Sequence, residues 1–155
     1  MIYWDLDGVL RDLSKSVHGG KIAKTWWQKD KNGHNLIEAI NKDLSILESA
    51  KPTKYLNVAL WQKSVDIISC QPMSWRPGTT RWVERHIPNA KIRYVLDPNE
   101  KFNIIDEDDY LIEDSPNLHD YHNIILIDRP YNENIISDIR VYNEAELLAI
   151  LEELC

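Results

Sequence analysis

Asp5 and Asp7 stand two residues apart in Asp5-Leu6-Asp7-Gly8-Val9-Leu10, directly after the apolar Ile2-Tyr3-Trp4. Two carboxylates at that spacing face opposite sides of a regular strand. Where a strand ends and the chain turns, both can converge on one cation or one phosphate. Gly8 lets the backbone approach a ligand closely. An acidic turn is the plainer alternative, but other apolar runs also end in polar residues. Ser69 closes VDII, Glu113 and Asp114 close YLI, and Asp128 closes IILI.

The charges are unevenly spread. Residues 97–120 hold nine acids and one base, Lys101, while residues 11–31 hold six bases and two acids. An acidic zone suited to a cation and a basic zone suited to an anion fit chemistry on phosphate esters. Each zone taken alone is more simply a solvated face.

These residues need a scaffold that brings strand ends together. Short apolar runs at Ile2–Asp5, Val65–Ser69, Lys91–Leu96, Tyr110–Ile112 and Ile124–Ile127 read as strands, with a short edge strand over Arg140–Tyr142. Between them lie helical patterns. Leu36, Ile37, Ile40, Leu44 and Leu47 place a helix over 34–48 that Pro52 ends, and 54–64 reads as a second. Trp75-Arg76-Pro77-Gly78 opens a helix closed by Pro88. The last helix starts at Asn143, with Glu146 as its capping-box partner. Residues 11–32 carry no clear pattern. Non-alternating strands separated by helices predict an α/β fold whose parallel sheet is covered on both faces. Such sheets bind ligands beyond the carboxyl ends of their strands, where these polar residues fall.

The motif DLDGVL resembles the first motif, DxDG[TV], of the haloacid dehalogenase-like phosphohydrolases. Ser69 matches their second motif, a Ser or Thr ending the next core strand. Their third is a lysine ahead of the fourth strand. Lys101 fits it best, with Lys91 as the other choice. Glu113-Asp114 in YLIEDSPN matches their acidic fourth motif. All four occur in order across residues 1–129. The resemblance implies a Rossmann-like three-layer sandwich with a parallel sheet. It places the catalytic core in residues 1–10 and 65–155, and a small, mainly helical cap in 11–64. The segments CQPMSWRPGTTRWVERHIP and IILIDRPYN also resemble small stand-alone members that look like 5′-nucleotidases.

The roles implied are chemically coherent. Asp5 would attack phosphorus and form an aspartyl-phosphate. Asp7 would protonate the leaving oxygen and then activate water. Ser69 and Lys101 would hold phosphate oxygens. Mg²⁺, which prefers hard oxygen ligands, would bind Asp5, the backbone carbonyl of Asp7, and Glu113 or Asp114. Trp26 and Trp27 would stack on a nucleobase or pack between cap and core. His18, Lys21 and Lys24 either bind a substrate anion or are plain surface. Arg76 and Arg129 either meet a second anionic group or pair with local acids. Cys70 reads as a buried structural thiol, with no His near it in sequence.

Composition sets outer limits. The net charge of −7 disfavours bulk attraction to nucleic acid or anionic membrane. No apolar run approaches the ~20 residues of a membrane span. MIYWDLDGVL carries acids where a signal peptide carries bases, and Cys70 and Cys155 form no disulfide framework, so a reduced cytoplasmic home is expected. The expectation is a Mg²⁺-dependent phosphomonoesterase acting on a nucleoside monophosphate or similar small ester. A polynucleotide end phosphatase is the alternative, and a non-catalytic phospho-acceptor or binding domain ranks below both. Oligomeric state and natural substrate are not legible.

Overall fold

The computed structural model describes residues 1–118, 121 and 123–154, so Asp120 and Cys155 lie outside it. Six strands form one parallel sheet: β1 (Ile2–Trp4), β2 (Val65–Cys70), β3 (Ala90–Val95), β4 (Tyr110–Glu113), β5 (Ile124–Ile127) and β6 (Ile139–Val141). Their spatial order is β3-β2-β1-β4-β5-β6. The chain builds outward from β1 on one side, then crosses to the other side for β4. The topological switch point therefore lies between β1 and β4, where Trp4 pairs with Ile112.

Strands β1 to β5 each serve two cores. Trp4, Val65, Ile67, Ile112, Ile125 and Ile127 belong to the larger cluster. It is closed by α4 (Leu56–Ala59), α5 (Arg76–His86) and α6 (Glu144–Leu154), with Trp82 and Leu147 fully buried. The alternate positions Tyr3, Ile68, Leu111, Ile124 and Leu126 face a second cluster under Phe102, Ile104 and Ile105. Those three follow β3 in and after the 3₁₀ helix Pro98–Asn103. The result is the Rossmann-like three-layer α/β arrangement that burial on both faces requires. Among the described residues no helix is long and apolar enough to cross a membrane.

Residues 11–64 carry three further short helices: α1 (Leu13–Val17), α2 (Leu36–Lys42) and α3 (Ile46–Ser49). Leu13, Ile40, Leu47 and Ala50 make a small core of their own that closes on Trp75. The two ends of the insertion are clasped together, since Asp12 N–H donates to Lys51 O at 2.9 Å and Thr53 N–H to Leu10 O at 2.8 Å.

The helix expected over 34–48 is two helices. Asp43 caps the first, and its carboxylate accepts from the Ser45 backbone N–H and hydroxyl, so the chain turns there. The helix expected over 54–64 shrinks to α4. Beyond it the carbonyls of Gln62 and Lys63 accept from Asn89 Nδ2, and Gln62 Oε1 accepts from the Trp4 indole. Asn143 does cap α6, accepting from Glu146 N–H at 3.0 Å while its own amide donates to the Glu146 carboxylate.

Candidate active site

The β1 ladder continues one residue past the strand, with Asp5 N–H donating to Ile112 O at 2.8 Å. This sets Asp5 beside Glu113 at the switch point. Leu6, Val9 and Leu10 are buried and anchor the turn that follows. Within it Leu10 and Arg11 N–H both donate to Leu6 O, and Gly8 N–H donates to Arg11 O. Gly8 adopts φ 88, a left-handed conformation that a side chain disfavours. A Cβ on Gly8 would lie 1.8 Å from Asp114 Oδ2 and 2.9 Å from the Tyr131 hydroxyl.

That contact makes Gly8→Ala informative. The backbone strain is worth about 1–2 kcal/mol, and Asp114 must also move aside. Any phosphatase activity should fall at least about tenfold, the 1.4 kcal/mol equivalent. Denaturant unfolding and steady-state assays check both effects; parental values in both would show the loop tolerates displacement of Asp114.

Lys101 sits between two carboxylates. Its ammonium donates to Asp5 Oδ1 and to Glu113 Oε2, each at 2.6 Å, and all three side chains are buried. Burial opposes the lysine's charge, but Asp5 and Glu113 outweigh it and hold its pKa above the usual value. Glu113 Oε1 accepts from the backbone N–H groups of Asp114 and Ser115. Although burial opposes ionisation of Glu113, Lys101 and these donors hold its pKa below the usual value. Lys91 lies elsewhere, exposed near the start of the edge strand β3, level with Asp66 and two strands away from β1.

The remaining acids carry the strain of this arrangement. Burial, reinforced by the Glu113 charge, pushes Asp5 up to about 7. Burial also raises Asp114 well above the carboxylate range, with Glu113 and Asp5 adding to it. Asp114 Oδ2 accepts from the Tyr131 hydroxyl, while its Oδ1 is buried with no hydrogen-bond partner. Asp5, Glu113 and Asp114 each bring an oxygen within 4.8 Å of the others. Once ionised, three carboxylates around one ammonium would leave a negative excess in a buried site, which a cation would offset. An all-oxygen donor set with an orphaned carboxylate oxygen fits a hard divalent cation. Both Glu113 oxygens are already engaged, so Asp114 Oδ1 is the open donor of the acidic pair.

Asp7 is not part of this cluster. Its carboxylate accepts from Arg11 Nε at 2.6 Å, Arg11 Nη2 at 3.0 Å and Gln71 Nε2 at 2.8 Å. Ser69 is buried at the end of β2, and its hydroxyl forms no hydrogen bond with the cluster. Cys70 is half-buried, and burial pushes its thiol up, away from the reactive thiolate.

A cavity of about 130 Å³ opens onto Asp7, Gly8 and Asp114. The insertion lines most of the rest, with Leu13, His18, Trp26, Trp27, Leu36 and Ile37 among others, and Tyr131 of the core completes it. Trp26 meets Tyr131 edge to face at 5.3 Å, joining insertion to core, while Trp27 is 62% exposed. Lys21 and Lys24 are exposed and do not line this cavity. Among the described residues Arg129 pairs with no acid; it donates to Gly8 O at 2.7 and 3.1 Å and stacks over Tyr55. Arg76 lies over Tyr94 with its Nε buried and unpartnered. Asp128 is paired with Arg140.

Three side chains at the site escaped the sequence reading. Arg11 gave a faint signal, standing four residues after Asp7. Gln71 and Tyr131 gave none, because their partners are 64 and 17 residues away. No family model matches the chain, and no curated protein matches it.

Proposed function

We propose that the protein is a Mg²⁺-dependent phosphomonoesterase that works through an aspartyl-phosphate on Asp5. The observation that carries this reading is the buried Asp5–Lys101–Glu113 arrangement beside Asp114 at the sheet's switch point. It is also where the resemblance to haloacid dehalogenase-like phosphohydrolases puts their catalytic residues. Lys101 holds Asp5 Oδ1, which leaves Oδ2 for in-line attack on phosphorus. The bond from phosphorus to the leaving oxygen breaks as that oxygen takes a proton from Asp7. Asp7 then takes a proton from water, whose oxygen displaces the Asp5 carboxylate and yields inorganic phosphate. Lys101 balances charge on Asp5 and the phosphoryl oxygens throughout.

The residues that would hold the metal are Asp5, the Asp7 carbonyl and Asp114, with Glu113 orienting Lys101. Bound Mg²⁺ would supply charge neutralisation between carboxylates and phosphate. Because Asp5 and Asp114 favour their protonated forms, loading the site must release protons. Affinity for the ion therefore weakens as the pH falls below about 7.

The apolar, aromatic wall of the adjoining cavity supports a small ester with a flat organic group, of which a nucleoside monophosphate is the leading example. Phosphate release from nucleoside monophosphates and a phosphorylated oligonucleotide, with Mg²⁺ and with excess chelator, tests the reading. Mg²⁺-dependent cleavage of the mononucleotide, with shallow dependence on salt, is expected. Full activity in chelator removes the metal. Faster cleavage of the oligonucleotide, falling steeply with salt, reassigns the substrate to polynucleotide ends.

A further inference from the structure

The chemistry assigned to Asp7 does not account for how firmly Asp7 is held. Arg11 reaches both of its oxygens as a fork, at 2.6 and 3.0 Å. The same guanidinium donates to Leu47 O at 2.8 Å and to Thr79 Oγ1 at 3.1 Å, and it lies 5.6 Å from the centre of the Trp82 ring. Thr79 in turn donates to Gln71 Oε1 at 2.7 Å, and Gln71 Nε2 donates back to Asp7. Arg11, Asp7, Gln71 and Thr79 thus form a closed ring of hydrogen bonds. Arg11, Gln71 and Thr79 are buried, while the Asp7 side chain keeps 23% of its surface where the cavity opens.

We propose that Arg11 is a positioning residue that fixes the proton-transferring carboxylate of Asp7 relative to Asp5. The inference rests on the phosphatase reading above. A stabilising role alone explains the arrangement poorly. Burying a guanidinium costs desolvation free energy, and an apolar side chain of similar volume often serves stability as well or better. A two-point grip, by contrast, fixes both the distance and the plane of a carboxylate. Through Leu47 O the same guanidinium also ties the placement of Asp7 to the seating of the insertion.

The test compares two esters in the presence of Mg²⁺. Glycerol phosphate releases an alkoxide that must be protonated as it leaves. p-Nitrophenyl phosphate releases a phenolate that leaves unaided. The ratio of their kcat/KM values reports proton delivery in the step that phosphorylates the protein. Arg11→Lys keeps the charge but loses the fork. It should lower kcat/KM for glycerol phosphate about 10²-fold, the lower range for general acid catalysis, and for p-nitrophenyl phosphate less than about tenfold. Gln71→Leu should move the ratio in the same direction by less, and decides the matter if Arg11→Lys does not fold. Equal losses on both esters, or no loss on either, would overturn the positioning role. Where the parental protein leaves glycerol phosphate intact, a nucleoside monophosphate, whose alkoxide also needs a proton, takes its place. A parental protein that cleaves none of the three esters overturns the phosphatase reading itself, and with it the reaction for which Arg11 would place Asp7.

Discussion

Asp5→Asn should abolish turnover while leaving the fold intact. An amide is nearly isosteric with the carboxylate, and its oxygen can still accept from Lys101. Its electron pairs are not nucleophilic enough to attack phosphorus. Loss of a nucleophile typically costs on the order of 10⁴–10⁶ in kcat. Stability should move the other way. The Asp5 carboxyl is raised from 3.8 to about 7 by burial and by Glu113, so the folded protein favours its protonated form. The stability it contributes is fully present below its unfolded value of 3.8 and is lost as pH rises through about 7. Asn carries no charge at any of these pH values. The metal-free variant should therefore be at least as stable as the parent at pH 8, with a flatter stability profile between pH 4 and 7. Denaturant titrations across pH check the profile, and phosphate release checks the activity. A variant that turns over at the parental rate would remove Asp5 from the nucleophile's role.

Lys101→Met should cost more stability than any other single change at the site. It leaves Asp5 and Glu113 buried, side by side and without the cation that bridges them. Removing one partner of a buried pair costs about 3–5 kcal/mol. Lys91→Ala should stay within about 0.5 kcal/mol, because that side chain is exposed on the edge strand β3, two strands away from β1. Added Mg²⁺ should restore part of the stability lost in Lys101→Met, since a divalent ion supplies the missing charge. Activity should fall at least about 10²-fold in Lys101→Met, the usual loss of a preorganised charge in a buried site, and stay near parental in Lys91→Ala. Equal effects of the two substitutions would contradict the role given to Lys101.

The strands were legible because parallel strands buried on both faces leave short, unbroken apolar runs such as Ile124–Ile127, which the structure reproduces residue for residue. Strand-end chemistry was legible for the same reason: Asp5 and Glu113 mark where the apolar runs stop. Lys101 was harder. Its neighbours Asp97, Glu100 and Asp106 suggest a solvated loop, whereas the 3₁₀ helix turns it inward between Asp5 and Glu113. The helices of the insertion were overextended, because apolar spacing at Leu44 and Leu47 does not register the competing hydrogen bonds of Asp43. Leu44 is in fact exposed. The Arg11 fork left only its faint i,i+4 signal within the basic run of residues 11–31. Only folding brings Leu47 and Thr79 to the guanidinium and turns a surface-type residue into a buried one.

An aspartyl-phosphate is a covalent species that acid quenching traps. A turnover mixture with a radiolabelled phosphate ester and Mg²⁺ is quenched in acid at short times, and the protein is digested and mapped. Label is expected on the peptide carrying Asp5, removed by hydroxylamine as an acyl phosphate should be, and absent in Asp5→Asn. Turnover with no protein-bound phosphate at any quench time, or with label on another residue, would contradict an aspartyl-phosphate on Asp5.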